Sequence, residues 1–221
     1  MKNITFEKYQ GNGNDFIVID SRGNDIYKNY KTNKIFDIKK ICNRQFGIGA
    51  DGVIFIEEPN EDNYAKMIIF NSDGSEAQMC GNGIRCLVEY LHLNDSMNNK
   101  NIEYKIETKA GLKIAKYINE EITVKMGVPI LDSQSIPTTI DKKINSIPSH
   151  EFVEENFNNI GYVVGMGNPH LIFFVQDIDS IVISRLGPIF EKNELFPEKT
   201  NVHFCKVIDS KNIDVKVWER G

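Results

Sequence analysis

Few side chains in the 221 residues offer chemistry beyond packing, and they gather at turns. Cys42, Cys86 and Cys205 sit inside apolar periodic segments, as small buried residues do. Cys80 differs: it lies between Met79 and Gly81-Asn82-Gly83, at a turn that opens the clearest helical pattern of the chain. The first N–H groups of a helix have no partner within it. They attract anions and favour a thiolate over a thiol. Cys80 is therefore placed to react as a thiolate and to meet a carboxylate nearby; the plainer reading is a small cap beside a glycine turn. Asn14, Asn71, Asn82, Asn168 and Asn201 all fall at turns or strand ends. Each alone is ordinary turn chemistry, but together they supply neutral amide donors and acceptors suited to a zwitterionic ligand. Of His92, His150, His170 and His203, only His170, in Gly167-Asn168-Pro169-His170, has an unusual local setting.

Other patterns point nowhere. Gly47-Ile48-Gly49-Ala50-Asp51-Gly52 spells G-x-G-x-x-G. A dinucleotide site, however, needs a strand before that motif and a helix after it, and here the order is reversed. No metal site is expected. There is no C-x-x-C pair, and Cys80 and Cys86 diverge by about 240° on a helix.

The elements that must hold these residues are mostly short strands. Ile4–Lys8 and Phe16–Asp20 flank a Gly/Asn turn, and Ile35–Cys42 has helical spacing. Val53–Ile56 and Ala65–Phe70 read as strands. Ile84, Leu87, Val88 and Leu91 form one apolar helical stripe. Ile102–Thr108, Leu112–Ile118 and Ile122–Met126 read as a meander. Residues 127–160 look loop-rich, so a domain boundary is placed at 127, giving units 1–127 and 128–221. In the second unit Tyr162–Gly165, Leu171–Val175, Val202–Ile208 and Ile213–Trp218 are expected strands and Ile178–Leu186 a short helix.

The two units resemble each other. Gly11-Asn12-Gly13-Asn14 precedes one strand and Gly165-Met166-Gly167-Asn168 precedes another, offset by 154 residues. The strand ending in Asn71 matches the strand before Glu219, offset by 148. Repeats of this length place a site at their seam. Cys80 follows Asn71 by nine residues. Its counterpart would fall at about position 228, so the second unit is expected to stop short of its own central helix.

Composition agrees with a soluble globular protein. Hydrophobic residues make up 41% and charged residues 26%, with a net charge of −5. That charge disfavours nucleic acid and anionic membrane as partners. No apolar run suffices for a membrane span and no signal peptide is evident. A cytoplasmic location without disulfides is the expectation.

The motifs together resemble diaminopimelate epimerases over essentially the whole chain. Those that carry the resemblance are Gly13-Asn14-Asp15-Phe16, Gly47 to Gly52, Asn71-Ser72-Asp73-Gly74-Ser75, Cys80 to Cys86, Gly165 to His170, Thr200-Asn201-Val202 and Glu219-Arg220-Gly221, in that order. The resemblance implies an α/β (α+β) fold of two pseudo-symmetric domains, each a curled sheet or barrel around a central helix, the second incomplete here. It implies a site in the cleft between them and a cofactor-free exchange of LL- and meso-diaminopimelate in lysine biosynthesis, with a homodimer as a possible assembly. Cys80 would be one of two acid–base thiols, and Gly81 and Asn82 would offer backbone donors to the substrate. Asn14, Asn71, Asn168, Asn201, Glu219 and Arg220 match substrate contacts, with Arg220 suited to clamp the distal carboxylate. His170 and Glu219 match positions that tune the thiols. One departure stands out: the family's second cysteine lies in Ala-Cys-Gly-Thr/Ser-Gly a few residues beyond Glu-Arg-Gly, and that motif is absent here. The 221 residues are therefore expected to be inactive alone. The rival readings are a proline or hydroxyproline racemase, a non-catalytic binding remnant, and a cysteine hydrolase using His170.

Overall fold

The computed structural model describes residues 3–95 and 101–220, Asn101 through its backbone alone. Gly221, the end of the last motif, lies outside them. The chain divides into two compact units, residues 1–126 and 127–221.

Unit 1 is a curled eight-stranded sheet with helices on both faces. Its strands are β1 (Glu7–Gly11), β2 (Asn14–Asp20), β3 (Gly52–Glu57), β4 (Ala65–Asn71), β5 (Glu76–Ala77), β6 (Asn101–Thr108), β7 (Gly111–Ile118) and β8 (Glu121–Lys125). They run in the order β1-β2-β3-β4-β6-β7-β8, with β5 beside β4. Alternation along each strand decides which face a side chain takes. Val18, Ile54 and Ile69 point to one face and bury the apolar stripe of α3 (Gly81–Asn94), that is Ile84, Leu87, Val88 and Leu91. Ile17, Ile19, Val53, Phe55, Ile68 and Phe70 point to the other, beneath α1 (Ile26–Asn33) and α2 (Ile38–Cys42).

Both short helices depart from the sequence reading. The helical spacing counted from Ile35 starts only at Ile38, because the Asp37 carboxylate accepts the Lys39 N–H at 2.9 Å and caps the helix there. Phe36 instead stacks against Tyr30 and Phe55. Helix α1 was not legible: it buries no residue fully and holds the sheet through Tyr27 and Tyr30.

Unit 2 holds β9 (Lys143–Ile144), β10 (Ile147–Glu154), β11 (Phe157–Gly165), β12 (Pro169–Phe174), α4 (Ile183–Glu191), β13 (Asn201–Val207) and β14 (Ile213–Trp218). The sheet order is β14-β13-β12-β11-β10-β9. The loop expected through 127–160 is partly a hairpin, β10 pairing with β11 from Ser149↔Tyr162 to Glu154↔Phe157. Its exposed face carries Glu151, Val153 and Asn158, so the apolar alternation is diluted. Helix α4 is also displaced. Residues 178–182 form a turn, and the helix runs through Gly187 and Pro188 to Glu191. Gly187-Pro188 reads as a stop in sequence. Here Phe190 beyond it is needed in the core, where it packs on Phe152, Phe157 and Phe173. Burying one such side chain contributes about 1.5–3 kcal/mol, which offsets much of the ~3 kcal/mol that a proline inside a helix costs.

The repeat is real in three dimensions. In unit 1 a β1–β2 hairpin leads to a parallel β2–β3 pair and an antiparallel β3–β4 pair. In unit 2, β11–β12, β12–β13 and β13–β14 repeat that sequence of pairings. The face that α3 covers in unit 1 corresponds to the face bearing Ile172, Phe174, Val215 and Val217 in unit 2. Among the described residues no helix covers that face, and Phe174, Val215 and Val217 are exposed.

Helix α4 meets β14 at one tight point. A Cβ on Gly187 would lie 2.5 Å from Trp218 Cγ, and Trp218 is further held by its Nε1–H donating to Glu191 at 2.8 Å. Gly187→Val is expected to destabilise unit 2 by about 1–3 kcal/mol through overpacking. Trp218 is the sole tryptophan, so its emission during urea unfolding reads this directly; an unchanged midpoint would contradict the packing described.

Candidate active site: two matching sheet ends

In unit 1 the site residues collect at one end of the sheet. Asn14 begins β2, Gly52 begins β3 and Asn71 ends β4, with Phe16↔Gly52↔Asn71 in register. The β1–β2 turn at Asn12-Gly13 has positive φ at both residues, 55° and 83°, the geometry of a tight hairpin. Gly11, just before it, sits against the first turn of α3: a Cβ there would be 3.3 Å from the Asn82 carbonyl oxygen.

Cys80 is the N-cap of α3, with extended φ/ψ of −139° and 123°. Its sulfur accepts the Gly83 N–H at 3.4 Å, and its carbonyl accepts from Ile84 at 2.9 Å. The Gly81 and Asn82 N–H groups are thus left without an intrahelical partner. The Asn82 side chain accepts from Arg85 Nη2. Gly83 sits tightly: a Cβ there would fall 3.0 Å from Ile69 Cδ1 and 3.3 Å from Ile54 Cδ1, so those side-chain tips would have to give by a few tenths of an ångström. Burial pushes the Cys42 and Cys86 thiols up to about 11 and raises Cys205 as well. Cys80 is half-buried, whereas the other three cysteines are buried.

Asn71 is fixed by its own turn: its N–H donates to the Ser75 carbonyl at 2.9 Å and its Nδ2 to Ser75 Oγ at 3.0 Å. Asp73 accepts from the Ser75 backbone and hydroxyl, and these bonds hold its carboxyl below the usual range. The G-x-G-x-x-G segment is a turn between α2 and β3. Its Asp51 joins Asp15, Arg44 and Lys8 in a cluster that clamps the base of the Asn14 hairpin. Arg44 bridges both carboxylates at 2.7 Å, and Lys8 reaches Asp15 at 2.9 Å.

Unit 2 repeats the arrangement. Asn168 and His170 stand at the start of β12, Asn201 at the start of β13, and Glu219 and Arg220 just after β14, with His170↔Asn201 and Val202↔Trp218 in register. Asn201 is buried and holds two neighbours: its Nδ2 donates to the Pro169 carbonyl at 3.2 Å and its Oδ1 accepts the Arg220 N–H at 2.9 Å. The Arg220 guanidinium donates through Nη1 to the Glu198 carbonyl at 2.9 Å, while Glu219 is exposed. His170 Nε2 lies 2.7 Å from Asn168 Oδ1, and His170 Nδ1 lies 2.9 Å from His203 Nε2. Burial, aided by Arg220, lowers His170; burial, aided by His170, lowers His203 to about 4.

His203 and the clamp of Lys8, Asp15, Arg44 and Asp51 were not singled out from sequence. His203 had one available signal, since it lies two residues after Asn201 and so on the same strand face. The clamp had none, because its members are scattered over 44 positions of chain.

Arg44, and then Lys8 and Asp51, depress the Asp15 carboxyl far below its ordinary value against the effect of burial. Its contribution to stability is therefore in full above about pH 3.9, the ordinary value, and drains away as the pH falls further. Asp15→Asn is expected to lower the urea midpoint of unit 1 at pH 7, with the gap to the parent chain closing below pH 4. A gap independent of pH would show that the clamp is not ionic.

Comparison with known proteins agrees with this geometry. A sequence model described as diaminopimelate epimerase matches residues 6–131 and 162–221. The diaminopimelate epimerase of Prochlorococcus marinus is 50% identical, covering 100% of this chain and 78% of the relative. That of Microcystis aeruginosa is 42% identical over 99% and 76%. Among solved structures, a probable proline racemase from Agrobacterium radiobacter superposes with a TM-score of 0.65 at 14% identity, covering 97% of this chain and 70% of that one. A phenazine biosynthesis protein of the PhzF family from Bacillus anthracis gives 0.59 at 19%, covering 99% and 72%. At such identities these two share the fold alone. The sequence match, running through both sheet ends and the Cys80 helix, goes further: the chain belongs to the diaminopimelate epimerase family of isomerases.

Proposed function

We propose that this chain carries the Cys80 half of a cofactor-independent, two-thiol epimerisation of diaminopimelate, a step of lysine biosynthesis. The observation that carries the reading is Cys80 at the N-cap of α3, its sulfur on the Gly83 N–H and two further first-turn N–H groups beside it.

An amino acid α-proton is very weakly acidic, so the charge that develops on its removal has to be stabilised at the carboxylate. Pre-aimed donors do this most effectively, at about 3–4 kcal/mol for one well-placed N–H. In this reading the Gly81 and Asn82 N–H groups receive the carboxylate, helped by the helix dipole. The Cys80 thiolate removes the α-proton from one face and, in the reverse direction, its thiol returns it. Asn14, Asn71, Asn168 and Asn201 supply neutral contacts, and Arg220 with Glu219 addresses the distal charged end. His170 and Glu219 tune the ionisation of the thiols.

Inversion also needs an acid on the opposite face. Cys42, Cys86 and Cys205 are buried with raised thiols, and none caps a helix N-terminus among the described residues. These 221 residues alone are therefore proposed not to complete the inversion. Two measurements test this. Iodoacetamide at neutral pH is expected to alkylate Cys80 before the other three cysteines, with diaminopimelate protecting it; equal labelling of all four would refute the assignment of Cys80. Incubated with LL-diaminopimelate in D2O, the 221 residues are expected to yield no meso isomer. Sustained conversion, retained in Cys80→Ala, would overturn the two-thiol reading.

A further inference from the structure

His203 lies outside every motif discussed above, yet it completes a chain of three side chains on one sheet face. β12 contributes His170 to that face, and β13 contributes His203 and Cys205. β14 contributes Val215 and Val217, with Arg220 beyond its end. The imidazole centroids of His170 and His203 are 5.1 Å apart.

The donors in this chain can be ordered. An amide oxygen only accepts, so the 2.7 Å contact between His170 Nε2 and Asn168 Oδ1 places the hydrogen on His170 Nε2. A neutral ring then has a bare lone pair at Nδ1. His203 Nε2, 2.9 Å away, faces that lone pair and must donate to it. Both rings are disfavoured as cations, His203 by burial and then by His170, His170 by burial and then by Arg220.

We propose that His203 is a positioning residue: by donating to His170 Nδ1 it locks His170 as the Nε2–H tautomer, and His170 in turn holds the Asn168 carboxamide with its NH2 group directed away from the ring. That NH2 group is then a fixed, neutral donor for an anionic oxygen such as a carboxylate. This last step rests on the reading of Asn168 as a substrate contact; the locking of the tautomer does not.

Long-range proton–nitrogen spectra of the 221-residue chain test it without any variant. Both rings are expected to be neutral Nε2–H tautomers at pH 7, His203 titrating near 4 and His170 below the ordinary value near 6.5. An Nδ1–H tautomer at His170, or titration near the ordinary value, would overturn the proposal. In His203→Phe, which keeps the bulk and removes the donor, the His170 midpoint is expected to rise by about one unit. In His203→Gln, whose side-chain amide can donate to the same lone pair, it is expected to stay low. Identical behaviour of the two variants would also overturn it, and Trp218 emission checks that unit 2 remains folded in each. Titration with diaminopimelate then separates the two layers. Shifts of the Asn168 side-chain resonances in the parent chain and in His203→Gln, with about tenfold weaker binding in His203→Phe, support the full proposal. An intact tautomer lock with unmoved Asn168 resonances overturns the contribution of Asn168 to binding and leaves the lock standing.

Discussion

The site in unit 1 depends on how closely two backbones approach. The first turn of α3 can expose its N–H groups at the sheet end only if it lies flat on Ile54 and Ile69, and Gly83 is what allows it. Gly11 performs the same service from the hairpin side, where its missing side chain admits the Asn82 carbonyl. The Cys80 cap, the orientation of Gly81 and Asn82, and the place of Asn14 all follow from these two contacts. Fixing donors in this way before a ligand arrives is the condition for electrostatic catalysis, since no reorganisation remains for the moment of reaction.

The repeat explains why one half of the molecule informs the other. A hairpin, a parallel crossover and an antiparallel return place the start of two strands and the end of a third at the same edge, whatever the sequence between. Asn14, Gly52 and Asn71 in unit 1 and Asn168, Asn201 and Glu219 in unit 2 occupy those places by topology. The chemistry then diverges. Unit 1 fills its edge with a capped helix and an external ionic clamp, and unit 2 fills its own with a histidine pair and an arginine.

Much of this was legible in the residues. Continuous apolar strands, such as Phe16–Asp20 and Val53–Ile56, and the stripe from Ile84 to Leu91 appear where their patterns place them, because those strands are buried on both faces and the helix on one. Elements held by few contacts were missed: α1 buries nothing fully, and β10 dilutes its pattern on an open face. The displacement of α4 shows local and tertiary terms in conflict, where Gly187-Pro188 argues for a stop and Phe190 and Trp218 argue for continuation. Among the site residues, Cys80 and the asparagines announce themselves through adjacent glycines and turns. His203 and Arg44 act through partners distant in sequence, and no local pattern encodes such a partnership.

Among the described residues, every sheet pairing of unit 1 is made within residues 7–125. None of these pairings waits for unit 2. A ribosome adding about 5–20 residues per second needs several seconds or more to deliver the remainder. During that interval these pairings can already form, with α3 seated and Cys80 capped. The sheet end that carries Cys80 is thus assembled first, in order of synthesis, before Asn168, His170 and Arg220 have left the exit tunnel.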